Sequence, residues 1–237
     1  MKLTKVTFTG IDKWTDLQRL ASISQQYPYA EFGLLMSKDW QENGPRFPAP
    51  DIIWKLANIW SSQPFNLSLH LCGEFAIAAA KGDYTFLDTM IAPNLFSIFE
   101  RVQLNLDSES MFDVLHRMSK TNKEVIVQMR TASLCKQFLE GGSPEGMSYL
   151  IDFSGGRGLD TPVEVVNVPG VHVGYAGGIG PGNVGQKLRS LLAYPSDGEF
   201  WIDMETRVRT EDWFDLDKVE QVLEICAYLN KEYSPSK

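Results

Sequence analysis

Apolar positions along the chain follow two rhythms that take turns. Short runs with strand-like composition recur as KVTFTG (5–10), AEFGLLMS (30–37), FNLSLHLCG (65–73), RVQLNL (101–106), EVIVQMR (124–130), SYLIDFSGG (148–156), VHVGYAGG (171–178) and EFWIDMET (199–206). Between them, KWTDLQRLASISQQY, DIIWKLANIWSS, SMFDVLHRMSK and DLDKVEQVLEICAYLNKEY return apolar residues every third or fourth position, the spacing of an amphipathic helix. Repeated strand–helix units predict a parallel sheet, and eight of them predict that the sheet closes. The expected fold is therefore α/β, a single (β/α)8 TIM barrel over residues 1–237, with residues 234–237 a frayed tail. An open doubly wound sheet is the alternative architecture. The loop SKDWQENGPRFPAP after the second strand is long and irregular, a common place for function in a compact domain.

Strand side chains alternate between faces, so parity sorts those that meet the helices from those that fill the barrel. On the third strand Leu67, Leu69 and Leu71 share one face, which leaves Ser68, His70, Cys72 and, by extension, Glu74 on the other. The same rule turns Gln103 and Asn105, Gln128 and Arg130, Asp152, and Asp203 with Glu205 inward. These polar residues gather toward the C-terminal strand ends, where barrel enzymes build their active sites. An interior holding a histidine, a cysteine, an arginine and several carboxylates is costly unless the groups are paired or used. No lysine ends a strand, which disfavours Schiff-base chemistry on the inner wall. His116, Cys135, His172 and Cys226 read as packing or surface residues, and Trp54 and Trp60 as core or helix-facing.

Composition narrows the setting. The 237 residues carry a formal charge of −8 with no block of like charge, which argues against nucleic acid or an anionic membrane as partner. Three scattered cysteines do not make a disulfide framework, and the N-terminus MKLTKVTFTG lacks the apolar core of a signal peptide. A reduced, cytoplasmic protein with a small soluble ligand is expected, and a homodimer stays open. His70, Glu74, Asp152 and Asp203 bear metal-compatible donors but no spacing motif, so neither metal nor cofactor is expected.

The stretch VGYAGGIGPGNV (173–184) ends the seventh strand in bare backbone, and DFSGGRG (152–158) does the same on the strand before it. Glycines let phosphate oxygens approach backbone amides, and phosphate sites late in a barrel are frequent. Here the chain resembles the phosphoribosylanthranilate isomerase family. YAGGIGPGNV is similar to that family's Ala-Gly-Gly…Asn-Val loop, LIDFSGGRG to its Leu-Asp…Gly-Gly-x-Gly segment, and PRF (45–47) to its Ser-Pro-Arg loop; Asp203 and Asp215 match positions on and after strand eight.

The resemblance implies an Amadori rearrangement, aminoaldose to aminoketose, on a ribose-phosphate derivative. It assigns Asp152 as general acid, Arg46 as a contact for the carboxylate or aromatic end, and Gly155, Gly156, Gly177, Gly178, Asn183, Asp203 and Arg207 to substrate and phosphate. Two positions depart from the family pattern. Thr9, in TFTG, stands where the family's cysteine base lies, and TRVR replaces Ser-Gly-Val-Glu, putting Arg207 at a glycine and Arg209 at a glutamate. A threonine hydroxyl is far too weakly acidic to act as that base, so Cys72, assisted by His70 if the two side chains meet, is the expected substitute. An epimerase or lyase on another sugar phosphate, and a barrel that binds a phosphorylated ligand without catalysis, are the competing readings.

Overall fold

The computed structural model describes residues 1–38, 44–90, 93–106, 123–131, 133, 145–154, 157–166 and 170–233. Eight parallel strands, β1 (Lys2–Thr9), β2 (Ala30–Met36), β3 (Asn66–Cys72), β4 (Arg101–Asn105), β5 (Glu124–Met129), β6 (Met147–Ile151), β7 (Val173–Tyr175) and β8 (Glu199–Met204), hydrogen-bond in sequence order, and β8 pairs back onto β1. The sheet is a closed barrel, and the open-sheet alternative is excluded. Each strand coincides with one of the eight apolar runs.

Among the described residues the helices are α1 (Leu17–Gln26), α2 (Pro50–Ser62), α3 (Gly73–Ala80), α4 (Thr85–Met90), α5 (Val184–Leu192) and α6 (Leu216–Tyr233). Local chemistry starts them. The Asp16 carboxylate accepts from the amides of Gln18 and Arg19 at the head of α1, Pro50 opens α2, and Asp215 accepts from the amides of Asp217 and Lys218 at the head of α6. Asp215 is therefore a helix cap. The expected helix SMFDVLHRMSK, with His116, lies outside the described residues, as do Cys135, Gly155, Gly156 and the tail 234–237. Cys226 is buried in α6, Trp60 is half-buried, and Trp54, expected to be core or helix-facing, is 48% exposed on α2.

Two apolar cores follow from strand parity. Outward-facing Val6, Phe8, Phe32, Leu34, Leu67, Leu69, Leu71, Val102, Leu104, Val125 and Val127 pack beneath the helices in one large cluster. Inside the barrel a second, small cluster of Ile126, Leu150 and Trp201 plugs the channel. Gly174 on β7 admits that plug, since a Cβ there would stand 2.1 Å from the Trp201 ring.

Below the plug the floor is charged. Arg101, 1% exposed, donates from Nε and Nη2 to the two oxygens of fully buried Glu31 at 2.8 and 2.6 Å, and stacks its guanidinium 4.6 Å from the Trp201 ring centroid. Thr7 Oγ1 donates to Glu31 at 3.0 Å and receives Arg101 Nη2 at 3.1 Å, while Glu124 approaches Arg101 at 3.6 Å. The pair compensates two desolvated charges in bidentate geometry. Losing one partner of such a pair costs about 3–5 kcal/mol, because the survivor stays buried and uncompensated. Arg101→Met and Glu31→Leu are each expected to destabilise by that amount in equilibrium urea unfolding. The double variant is expected to lose clearly less than the sum.

Candidate active site

Above the plug, at the C-terminal ends of the strands, a cavity of about 310 Å³ opens. Its wall takes Thr9 from β1, Leu35 from β2, His70 and Cys72 from β3, Gln103 and Asn105 from β4, Gln128 and Arg130 from β5, Asp152 from β6, and Asp203 and Glu205 from β8. The polar residues that parity turns inward therefore meet in one place. Glu74 does not join them: it lies in the first turn of α3, exposed, paired with Lys38 at 2.6 Å. It lies two residues past the end of β3, already in a helix, where two-residue parity no longer applies.

A chain of hydrogen bonds crosses from β3 to β8. Thr9 Oγ1 donates to Asp203 Oδ1 at 3.0 Å, and a hydroxyl has one hydrogen to give. The long 3.5 Å contact between Thr9 Oγ1 and His70 Nδ1 then needs the proton on Nδ1, and Ser68 Oγ donates to Nε2 at 3.0 Å. Ser68, His70, Thr9 and Asp203 thus form one directed relay ending on a carboxylate. Gly33 makes room for it: a Cβ there would stand 2.7 Å from Thr9 Oγ1 and 2.8 Å from His70 Nε2. A glycine inside AEFGLLM is the sequence signal of this close approach, one that hydrophobic periodicity does not carry.

Burial sets the acid–base character of these groups. It pushes the Asp203 carboxyl up to about 8, helped by the charges of Glu205 and Glu31 and opposed by the Thr9 bond and Arg101. It drives His70 down to about 4, so the imidazole is neutral near pH 7. It lifts the Cys72 thiol to about 11, against a 3.2 Å bond from Asn105 Nδ2. The structure does not bring His70 to Cys72, the contact on which assistance to the thiol depends. Both His70 nitrogens face Ser68 and Thr9, and the thiol stays protonated in its buried setting.

Asp152, 4% exposed, accepts Gln128 Nε2 at 2.7 Å on one oxygen, and the amide and hydroxyl of Ser154 at 2.9 and 2.7 Å on the other. Three donors fix its orientation toward the cavity. Arg46 and Phe47, from the loop after β2, close one side. Arg46 is already engaged, donating to Glu205 at 2.7 Å and gripping Asp212 at 2.8 Å. Asp212 sits with Glu211 at the tip of a small hairpin, β9 (Arg209–Thr210) and β10 (Trp213–Phe214), where both tip residues take positive φ, +61° and +50°. Burial raises Glu205, and Arg46 opposes the rise.

The glycine-rich end of the cavity is lined by Gly158, Gly177, Gly178, Ile179, Thr206 and Arg207. Gly178 has φ +61°, and a Cβ on it would fall 2.5 Å from the Leu159 carbonyl, so its bare backbone admits the neighbouring loop. Asn183 plays no part in the cavity wall. Its side chain accepts from the Gly180 amide and donates to Gly178 O and Asp160 at 3.0, 2.9 and 2.9 Å, stapling the loop into the start of α5. Arg207 lines the cavity, whereas Arg209 turns away, donating to Gly10 O and to buried Asp12 at 2.6 and 2.8 Å. Arg209 ties the hairpin to the loop after β1. Among the described residues no cluster of three or more His, Cys, Asp or Glu side chains could hold a metal ion, and no helix is long and apolar enough to cross a membrane.

Comparison with known proteins reaches the fold. No family model and no curated protein matches the chain. Among solved structures it is similar to N-(5'-phosphoribosyl)anthranilate isomerase from Pyrococcus furiosus, at 13% identity and TM-score 0.57 over 95% of this chain and 99% of that one. The phosphoribosyl anthranilate isomerase from Thermococcus kodakaraensis gives 14% and 0.54 over 94% and 98%. Spore coat polysaccharide biosynthesis protein E from Chromobacterium violaceum gives 10% and 0.56 over 100% and 77%. The likeness establishes a TIM barrel of the kind used by the phosphoribosylanthranilate isomerases, and at these identities it establishes the fold alone.

The raised Asp203 carboxyl has a consequence for stability. From its ordinary value near 3.8 up to about pH 8 the native state keeps a proton that the unfolded chain has released. This contribution is full below pH 4 and disappears as pH rises through 8. Urea unfolding between pH 5 and 9 is expected to show the wild type losing stability relative to Asp203→Asn, by on the order of a few kcal/mol.

Proposed function

We propose that this barrel is an isomerase of the phosphoribosylanthranilate isomerase type, converting an aldose-derived phosphate to the corresponding ketose derivative in one cavity without a cofactor. The observation that carries the reading is the pairing of two buried carboxylates, Asp152 and Asp203, in a cavity that ends in a glycine-rich loop beside Arg207. An aldose–ketose shift needs an acid where the ring opens and a base at C2, and two carboxylates in different surroundings supply both.

Asp152 protonates the ring oxygen as the C1–O bond breaks, leaving a C1=N iminium. Asp203 then removes the C2 proton, the C–H electron pair becomes the C1=C2 double bond, and the iminium nitrogen is neutralised. Proton return to C1 and loss of the enol proton give the ketose. Thr9 and His70 are positioning residues in this scheme. They hold Asp203 through the relay from Ser68, which explains why a threonine can stand where the family has its base. Gly178, Thr206 and Arg207 face the phosphate. The relatives' barrels support the fold of such an enzyme, and the carboxylate pair supports its chemistry.

Turnover of ribose 5-phosphate and its N-glycosides, followed as ketose formation, tests the assignment. Asp152→Asn and Asp203→Asn are each expected to lower kcat by about 10²- to 10⁴-fold, while Cys72→Ala changes it by less than about tenfold. In the wild type, kcat/KM is expected to rise with pH through about 8, as Asp203 loses its proton. Binding of these compounds without any conversion would favour the non-catalytic reading. Inversion at a carbon without an aldose–ketose shift would favour the epimerase.

A further inference from the structure

The wall opposite the phosphate end differs in chemistry from the rest of the cavity. Strand order places the end of β4 across the ring from the loop after β8, with the end of β5 beside it. That wall presents Gln103, Asn105, Gln128 and Arg130. Gln103 Nε2 donates to Asn105 at 2.9 Å, Asn105 passes a bond to Cys72, and Gln128 donates to Asp152. These bonds leave two groups unused. Gln103 is 4% exposed, and its Oε1 is a buried acceptor with no hydrogen-bond partner. The Arg130 guanidinium, on the same inward face as Gln128 and at the cavity rim, has no hydrogen-bonding or ion-pair partner among the described residues.

An orphan acceptor and a free planar cation on the wall of one cavity together point to a particular ligand. A buried carbonyl without a donor is costly, a cost that a hydroxyl or N–H would relieve and an aromatic C–H would not. A free guanidinium at a cavity mouth matches a carboxylate in bidentate geometry. Arg46 cannot serve that role as it stands, because Glu205 and Asp212 already hold it.

We propose that the β4–β5 wall is a second polar subsite, in which Arg130 binds a carboxylate and Gln103 Oε1 accepts a hydrogen bond from a neighbouring hydroxyl on the substrate's non-phosphate end. The substrate class is then a sugar phosphate whose amine substituent is a hydroxylated amino acid rather than an unsubstituted arene. The inference rests on the phosphate end proposed above, and the test separates the two.

Reductive amination of ribose 5-phosphate with serine, alanine or ethanolamine gives three stable adducts with the same phosphate arm. The first carries carboxylate and hydroxyl, the second only carboxylate, the third only hydroxyl. Calorimetric titration of the wild type is expected to show the serine adduct binding about tenfold or more tightly than the ethanolamine adduct, and several-fold more tightly than the alanine adduct. Arg130→Met is expected to erase the first preference while leaving the ethanolamine adduct within about threefold of its wild-type affinity; Gln103→Met is expected to erase the second. Equal affinities in the wild type, or preferences that survive these substitutions, would overturn the subsite while leaving the phosphate end standing. Failure of all three adducts to bind more tightly than inorganic phosphate would overturn the phosphate-end reading and the subsite with it.

Discussion

An eight-stranded parallel barrel turns half of its strand side chains into a narrow interior, and the pair formed there by Arg101 and Glu31 governs what that interior can hold. Two charges removed from water are tolerable because the guanidinium fork meets both carboxylate oxygens and Thr7 bridges the pair, although Arg101 Nη1 keeps only a 3.6 Å approach to Glu124. Trp201 caps the pair with its ring, and Ile126 and Leu150 complete the seal. The fixed floor leaves only the upper end of the channel free, so the cavity, its carboxylates and its relay all form on one face.

Burial does different work at the two ends. At the floor, opposite charges lie in contact, and Arg101 holds the Glu31 carboxyl below its ordinary range despite the cost of desolvation. At the upper end Asp203 has a hydroxyl partner rather than a cation, so the same desolvation prevails and the carboxyl rises instead. The difference in partner turns one acid into structure and the other into a group that can exchange a proton near neutrality. His70 is carried in the opposite direction by the same burial, which suits a relay member that orients a neighbour without taking charge. Burial raises the Cys72 thiol, two residues further along β3, in the same way as Asp203.

The loops after β6, β7 and β8 show how one sequence feature can serve two ends. Gly178 gives the neighbouring segment room to pack and also lines the cavity. Asn183 and Lys187 secure that arrangement by holding Asp160 and the loop carbonyls. On the other side the hairpin of residues 209–214 is tied down by Arg209 to Asp12 and by Arg46 to Asp212, so the loop after β2, the loop after β1 and the segment after β8 form one braced rim.

Strand count, order and inward face were legible in the sequence because they depend on local periodicity. Eight apolar runs separated by helical spacing leave little freedom, and a period of two assigns His70, Gln103, Gln128, Asp152 and Asp203 to the same cavity without coordinates. Glu31 and Arg101 carry the same parity but stand outside the set of residues it turned inward above, and the glycine inside AEFGLLM is a signal of close approach that periodicity does not read. What periodicity could not give is which inward group touches which, since partners such as Thr9 and Asp203 lie 194 residues apart and meet only when β8 closes onto β1. That closure decided that His70 faces Thr9 rather than Cys72, that Arg209 braces the rim while Arg207 lines the cavity, and that Asn183 fastens a loop. The amino-acid sequence determined the barrel and the face on which its chemistry lies; the acidity of each group, which depends on desolvation and on partners from distant strands, was decided only by the tertiary structure.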